Sequence, residues 1–193
     1  MKKINKGNPP AFFSDFLRKE NPTVWDDASP VRARLRGYIL DNEQKGCCAY
    51  TGIRITKDEN CHIDHFHTRN LFPEKTFDYN NMLVACNSEN YGAKYKDKQI
   101  KNKADYDVLI NPVVDDPSDY MEYTFTGEME AINQNQKGIQ TINYFNLNER
   151  RLVDRRKGAI LSLLNMQDVL NEDEIVEAIG EFEPMIRQLY RQG

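Results

Sequence analysis

All three histidines of this 193-residue chain lie in one heptapeptide, which reads Cys61-His62-Ile63-Asp64-His65-Phe66-His67. A second segment, Asn80 to Asn90, has polar residues on both sides of an apolar run and is itself followed by Lys94. Histidine has an ordinary pKa that suits proton transfer near neutral pH, and its neutral ring is a common metal ligand. Histidines that only fill a core would be scattered along the chain. The clustering therefore predicts a single site that is assembled from these two segments.

The residue types and offsets of the two segments are typical of an HNH nuclease site, a ββα-metal motif in which two strands and a helix surround one ion. Phosphodiester hydrolysis requires a base that activates water and positive charge near the developing phosphorane. We expect His65 to be that base and Asp64, its neighbour in the strand, to bind the ion. Asn90 is expected to supply a second protein oxygen to the ion, and Asn81 to hold the His65 ring through its second nitrogen.

The expected ligands also indicate which ion is bound. A carboxylate and an amide oxygen are hard ligands, so Mg²⁺ or Mn²⁺ is favoured over Zn²⁺ as the catalytic ion. His67 shares a strand face with His65 and is a candidate third ligand, a candidate phosphate contact or a surface histidine without a role. Lys94 completes the predicted catalytic set as a contact to phosphate.

Basic residues directly follow the predicted site. Lys94, Lys96 and Lys98 form a run that predicts contact with nucleic acid, although such a run is also compatible with an ordinary solvated helix face. The net charge of −4 argues against a generally basic nucleic-acid-binding protein. Since affinity for nucleic acid comes mostly from neutralised phosphates, the chain needs a local patch or a partner.

The four cysteines crowd around the histidine segment instead of spreading as a disulfide framework would. Two Cys-x-x-Cys halves of a zinc knuckle are each missing one member, because Thr51 and Glu89 stand at the second positions. A structural zinc would have to be held by some of the remaining candidates, which are Cys47, Cys48, Cys61, Cys86 and Glu89. The alternative is that packed side chains take the place of the metal.

Composition indicates a soluble globular protein, with 39% apolar and 29% charged residues. No apolar run is long enough to cross a bilayer, and the basic first residues lack the apolar stretch of a secretory signal. We therefore expect a cytoplasmic protein that does not associate with membranes.

The pattern of apolar residues predicts an α+β fold, with the ββα-metal (HNH) core embedded in a mainly helical scaffold that carries an additional small β-hairpin. The expected segments, packed as one domain, are an N-terminal helical segment (1–46), the nuclease core (47–105), and a β-hairpin with a C-terminal helical region (106–193). The expected elements are a helix over 31–44, a hairpin over 60–80, a helix from about Asn87, a second hairpin over 121–132, and helices over 147–164 and 173–191.

Several motifs together resemble the HNH nuclease subunit of Septu antiphage systems, the PtuB type. The likeness is carried by Cys48-Ala49-Tyr50, by Ile63-Asp64-His65-Phe66, by the run from Tyr79 to Cys86, and by Asn90 with Lys94. It continues through Leu109-Ile110-Asn111-Pro112 and the stretch from Thr141 to Arg156, and so covers most of the chain from about residue 30.

This resemblance implies a nuclease effector that works with an ABC-type ATPase subunit (PtuA-like), sometimes alongside a retron reverse transcriptase and its RNA–DNA hybrid. It implies the same roles for His65, Asp64, Asn90 and Asn81. Thr51 and Glu89 depart from the family pattern, which has cysteines there, and the departure concerns the structural zinc and not the catalytic ion.

Three functions are compatible with the sequence. The favoured one is a metal-dependent nuclease, for which DNA and a structured RNA such as tRNA both fit as substrate. The others are a catalytically inactive nucleic-acid-binding or scaffolding subunit and a zinc-organised interaction domain.

Apolar stripes near the C-terminus are expected partly to pack together and partly to dock on the ATPase; they comprise Leu161, Leu163, Leu164, Val169, Leu170, Ile175, Ile179, Phe182, Ile186 and Leu189.

Overall fold

The computed structural model describes residues 1–57 and 60–193 and consists of helices with two small antiparallel sheets. Its helices are α1 (Ala11–Glu20), α2 (Ser29–Asn42), α3 (Ala93–Gln99), α4 (Gln136–Tyr144), α5 (Arg150–Met166), α6 (Glu172–Ile179) and α7 (Glu183–Tyr190). Its strands are β1 (Cys61–His65), β2 (Met82–Cys86), β3 (Met121–Tyr123) and β4 (Met129–Ala131). Among the described residues, none of these helices is both long and apolar enough to cross a membrane.

Strands β1 and β2 form a wall between two hydrophobic clusters. They pair antiparallel, with Cys61 opposite Cys86 and His65 opposite Met82. Alternate side chains of β2 enter opposite clusters, since Met82 and Val84 pack with α1 and α2 while Leu83 packs with the C-terminal helices. A strand that is buried on both faces explains the continuous apolar run of β2.

The predicted hairpin over 60–80 was wrong in its second strand. Ile63 and Phe66 are buried as expected, but the chain pairs again only at Met82, after a connection that includes 3₁₀ turns at Pro73–Lys75 and Tyr79–Asn81. Polar residues occupy most of that connection, whereas the apolar residues that can fill the wall begin at Met82. Burial therefore places the second strand later than the expected turn signal did.

The outer edge of β2 is closed by a side chain instead of by a third strand. Gln44, which is 1% exposed, accepts a hydrogen bond from Val84 N at 2.8 Å and donates to Val84 O at 2.8 Å. Ala49 N also donates to Val84 O at 3.0 Å. Unpaired backbone groups in a core cost free energy, so these bonds allow an edge strand to be buried.

The helix over 31–44 was confirmed as α2, which begins at Ser29 with Pro30 in its first turn. The second hairpin was confirmed as β3 and β4, paired from Met121 with Ala131 to Tyr123 with Met129.

The expected helix over 173–191 is two helices, α6 and α7. Gly180 ends α6 with a left-handed conformation (φ 72°), and its N–H donates to Val176 O at 2.9 Å. Phe182 follows and is fully buried, and Pro184 lies in the first turn of α7. The break turns the chain so that both apolar faces enter the same core.

The helix after β2 starts later than the sequence suggests. Expected from about Asn87, α3 begins at Ala93, immediately after Gly92, which has a φ of 77° and donates its N–H to Phe145 O at 2.8 Å. Asn90 consequently lies in an exposed loop and Lys94 in the first turn of the helix. The two residues do not share one helix face.

Candidate functional site

A cleft of about 410 Å³ opens beside β1, between the loop after the strand and helix α3. Strand β1 contributes both members of the Asp-His pair to its wall, and α3 contributes a second carboxylate. The lining residues include His62, Asp64, His65, Arg69, Asp97 and Lys101. The cleft thus brings the predicted base and the predicted metal-binding carboxylate together with two cationic side chains.

His65 is buried and forms a hydrogen bond through one ring nitrogen. It is 6% exposed, its Nε2 lies 2.9 Å from the Thr76 carbonyl, and its ring packs edge-on against Trp25 at a centroid distance of 4.7 Å. Burial lowers the pKa of His65 to about 4, against the opposing effects of the Thr76 carbonyl and Asp64. A carbonyl can only accept, so Nε2 carries the ring proton and Nδ1 keeps the lone pair. The ring is therefore neutral at pH 7 and can accept a proton.

Asp64 is 4% exposed and is bonded on the inner side of the cleft. The Tyr50 hydroxyl donates to its Oδ2, and the Lys96 ammonium lies 3.2 Å from the same oxygen. Burial would raise the pKa of the Asp64 carboxyl, but the charge of Lys96 and the hydrogen bond from Tyr50 outweigh it and lower that pKa below its usual value. Asp64 is therefore an ionised carboxylate that is already paired with a cation.

Lys96 is fully buried, and its ammonium is surrounded by oxygen atoms. Nζ donates to Phe66 O at 2.9 Å and to His65 O at 3.3 Å, and it lies 3.1 Å from an oxygen of Asp97 as well as 3.2 Å from Asp64. Burial would lower the pKa of Lys96, but the two carboxylates outweigh burial and raise it. We call these four oxygens the oxygen cage.

Asp97 is the carboxylate of the site that sequence reasoning missed. It lies one turn into α3, lines the cleft and pairs with Lys96. Loss of solvent raises the pKa of its carboxyl, and the charge of Asp64 adds to the rise while Lys96 opposes it. A carboxylate three residues after Lys94 was visible in the sequence, but only the later start of α3 turns it toward β1.

Asn81 does not have the partner that was expected. Its side chain accepts from His67 N at 2.8 Å and donates to His67 O at 3.0 Å and to Lys75 O at 3.2 Å, whereas the His65 ring bonds to the Thr76 carbonyl. The proposed contact between Asn81 and the His65 ring was wrong. Asn81 instead clamps the loop after β1, since the ladder ends at His65 and leaves the backbone groups of His67 to be satisfied.

His67 packs in an aromatic cluster beside the loop after β1 and is not one of the residues that line the cleft. Its ring packs with Phe66, Phe72 and Tyr106 at centroid distances of 4.8 to 5.0 Å, and its Nδ1 lies 3.3 Å from both Asn81 Oδ1 and Lys75 Nζ. Burial and the charge of Lys75 lower the pKa of its ring. These contacts give His67 a packing role in the loop, which differs from the three roles considered for it, namely a third ligand, a phosphate contact and a surface histidine without a role.

The three lysines that were predicted to contact nucleic acid are either paired with a carboxylate or buried. Lys94 and Lys98 both pair with Glu89, at 2.9 Å and 2.8 Å, while Lys96 is inaccessible to a substrate. Asn90 is exposed, accepts a hydrogen bond at its carbonyl from Asn146, and does not line the cleft. The cationic residues of the cleft wall are Arg69 and Lys101 instead.

Two of the four cysteines, Cys48 and Cys86, contact each other. Cys86 N donates to the Cys48 sulfur at 3.4 Å. Burial would raise the pKa of the Cys48 thiol, but hydrogen bonds with Cys86 and Thr51 lower it to about 6. Cys47 contacts the Gly180 carbonyl at 3.6 Å, and Cys61 contacts the Thr56 carbonyl at 3.0 Å. Within residues 1–57 and 60–193, no three His, Cys, Asp or Glu side chains are grouped so that they could hold a metal.

The donor atoms of the oxygen cage can be compared with the ligands that a catalytic divalent ion prefers. The predicted ligands Asp64, Asn90 and His67 are not brought together. Two carboxylates and two carbonyls do meet around a cation, although that cation is an ammonium. Such an all-oxygen donor set suits Mg²⁺ or Mn²⁺ better than Zn²⁺. The donors therefore fit the expected ion, with Asp97 in the place foreseen for Asn90.

Comparison with known proteins gives a distant relative. No protein-family model matches the chain. Part of the chain is similar to the Septu protein PtuB of Bacillus mycoides (strain KBAB4), with 29% identity over 89 residues. The match covers 40% of this chain, and the chain spans only 30% of the length of that relative. The likeness to Septu proteins that the motifs indicated is thus found over a limited part of the sequence.

Proposed function

We propose that this chain is a Septu-type antiphage defence protein and that its cleft is the active site of a metal-dependent endonuclease. The similarity to the Septu protein PtuB supports the first part. The observation that carries the second part is the state of His65, a neutral ring with Nε2 anchored on a carbonyl, in a cleft that also contains Asp64. A base next to a cation-binding carboxylate is the minimum that phosphodiester hydrolysis requires.

In this proposal His65 takes a proton from the attacking water at Nδ1. The Thr76 carbonyl holds the ring and keeps the proton on Nε2, so the base does not have to reorient. Trp25 covers one side of the ring and excludes bulk water from it. Arg69 and Lys101 on the cleft wall bind phosphate oxygens and orient the scissile bond.

Asp64 and Asp97 would hold the Mg²⁺ or Mn²⁺ ion. When bound, such an ion acts as a Lewis acid on the phosphate and the leaving oxygen. The two carboxylates are separated in sequence but share the Lys96 ammonium, so they already face one cation position.

The proposed partners follow from the Septu resemblance. An ABC-type ATPase subunit (PtuA-like) would position or release the nuclease, and a retron reverse transcriptase with its RNA–DNA hybrid is a further candidate. The net charge of −4 supports dependence on a partner, because the chain alone can neutralise few phosphates. The substrate is nucleic acid, with DNA and structured RNA as the two classes to be separated.

The test is cleavage of DNA and of total RNA by the purified protein, with and without the ATPase subunit, in Mg²⁺ and in EDTA. We expect His65→Ala to lower the rate about a hundredfold or more, as loss of a general base does. His67→Ala is the matched control and should cleave at close to the wild-type rate once its folding has been verified. Wild-type cleavage by His65→Ala, or full activity in EDTA, would contradict the proposal.

A catalytically inactive binding or scaffolding subunit is the second candidate. The observation that favours it is that Asp64 is bonded by both Tyr50 and Lys96. Under this alternative the complex with the ATPase binds nucleic acid but does not cleave it under any of the metal conditions above.

A further inference from the structure

Lys96 is an unusual residue to find behind the wall of a cleft that is proposed to hold a divalent ion, where it pairs with the lining residues Asp64 and Asp97. A lysine is almost never fully buried unless it is paired. Here the side chain is 0% exposed and reaches from α3 to the backbone that follows β1. The ammonium is therefore a structural component of the site and not a surface charge that has folded inward.

The oxygen cage offers more oxygen atoms than an ammonium can use. An ammonium has three N–H donors, whereas oxygens of Asp64, Asp97, His65 and Phe66 lie 2.9 to 3.3 Å from Nζ. Two of the four come from carboxylates, and the other two are backbone carbonyls. This donor set is typical of a site for a hard divalent cation.

The geometry points to Lys96 as an internal cation that competes with a divalent ion for the oxygen cage. While the ammonium is present, a second cation would enter against its charge and would find one of the two carboxylate charges already neutralised. The cage would also have to contract, since Mg²⁺–oxygen distances are about 2.0–2.1 Å. The divalent ion can bind only when Lys96 withdraws, so Lys96 sets the affinity of the site for metal.

This inference rests on the proposed function, which gives the ion its catalytic role. Its test, however, measures only metal binding. The probe is Mn²⁺, titrated into the purified full chain and followed by its paramagnetic resonance signal and by the thermal unfolding temperature. We expect Lys96→Met to bind one Mn²⁺ at least about tenfold more tightly than the wild type, because the competing charge has been removed. Adding Asp64→Asn or Asp97→Asn to Lys96→Met should abolish that gain.

Lys98→Met is the matched control. Lys98 is an exposed lysine of the same helix. It pairs with Glu89 and does not contact the oxygen cage. The Mn²⁺ affinity of this variant should equal that of the wild type. A Lys96→Met protein that is folded, as judged by circular dichroism, and binds Mn²⁺ no more tightly than the wild type would overturn the inference.

Removing Lys96 leaves two carboxylates close together, so the variant can be unstable. Lys96→Gln keeps a hydrogen-bond donor without the charge and provides a second version of the test. If either variant folds only with millimolar Mn²⁺, the ion has replaced the ammonium and the inference holds. If neither variant folds even with Mn²⁺, the inference is wrong. Loss of cleavage in the nuclease assay together with the expected Mn²⁺ results would overturn only the proposed function.

Discussion

His65 loses nearly all of its water on folding, and this should make the stability of the protein depend on pH. Its pKa falls from 6.5 to about 4. Between these values the unfolded chain binds more protons than the folded chain, so the free energy of unfolding decreases as the pH falls from 6.5 to 4 and levels off below. At about 1.4 kcal/mol per pKa unit, the full effect is roughly 3 kcal/mol.

Urea unfolding at pH 7 and at pH 4, in EDTA, measures this effect. His65→Gln cannot be protonated in this range, so it should lose less stability than the wild type between the two pH values. His67 is present in both proteins and cancels in the comparison. Equal losses in the two proteins would mean that His65 is protonated as easily in the folded state as in the unfolded one.

Arg69 is an exposed cation of the cleft wall, and we expect it to contribute more to nucleic-acid binding than Lys94 and Lys98. Its guanidinium lies 6.0 Å from the Trp25 ring centroid, whereas Lys94 is paired with Glu89. Arg69→Gln should weaken binding several-fold and reduce the slope of log affinity against log salt by about 1. Lys94→Gln is the control with a smaller effect. Fluorescence anisotropy at several salt concentrations measures both, and equal slopes would assign phosphate binding to another surface.

Asp64 and His65 could be predicted because they are adjacent and because every histidine of the chain lies beside them. Lys96 and Asp97 could not be predicted, since their roles depend on the rotation of α3 relative to β1. That rotation is fixed by the left-handed Gly92 and its bond to Phe145, which is more than fifty residues away in the chain. A helix that begins at about Asn87 would present Asn90 and Lys94 to the site, which is why these two residues were predicted instead.

Among the secondary-structure elements, the turn at Cys48 and the end of β2 show what replaces a zinc knuckle. Cys48, Thr51 and Cys86 bond to one another, and an added Cβ at Gly92 would lie 3.6 Å from Thr51 and 3.8 Å from the Cys86 sulfur. Glu89 is at the surface with its lysine partners. The thiols and the hydroxyl are thus packed against each other where the predicted metal would lie.

We therefore expect elemental analysis of the purified protein to give less than about a tenth of an equivalent of zinc. Cys86→Ala should cost about 1 kcal/mol of unfolding free energy, the order of a small core truncation, and not the general unfolding that follows loss of a structural zinc. Cys47→Ala, which removes a less buried thiol outside the pair, should cost less. One full equivalent of zinc, lost in Cys86→Ala, would restore the zinc prediction.

A secondary-structure element was predicted correctly where the residues that determine it lie close together in the sequence. The second hairpin has its turn at Gly127 and short apolar runs on both sides, so local signals are sufficient for it. The break between α6 and α7 also had a local signal in Gly180 and Pro184, which the helical period over 173–191 obscured. The apolar run from Met82 to Cys86 was a local signal for β2, but it lacks the alternation of a hairpin strand because two clusters bury the strand from opposite sides.

At the scale of the whole molecule, the C-terminal helices belong to the core and cannot be removed as a unit. Ile175, Phe182, Ile186 and Leu189 are at most 1% exposed and share a cluster with residues from the start of the chain, such as Ile4. A deletion of residues 172–193 would therefore unfold the protein and would not test docking. Point substitutions on the outer face are required.

Three of the apolar residues that were expected to dock on a partner remain exposed. Leu161 is 63%, Leu164 41% and Val169 82% exposed, and they lie on the second half of α5 and just beyond it. Leu163 of the same helix is fully buried, so the helix separates a core face from this outer face. We define the outer apolar patch as these three exposed residues.

If the outer apolar patch binds the proposed ATPase subunit, Leu161→Glu combined with Val169→Glu should abolish co-purification and leave the fold unchanged, because both side chains are already in water. Charged residues at the centre of an interface are costly, and a few apolar contacts usually carry most of the binding energy. Val114→Glu is the matched control, since Val114 is an apolar residue that is 71% exposed outside the patch. Co-elution of the double variant with the ATPase in full stoichiometry would place the docking surface elsewhere, and loss of co-elution in the control as well would show that added charge alone disrupts the complex.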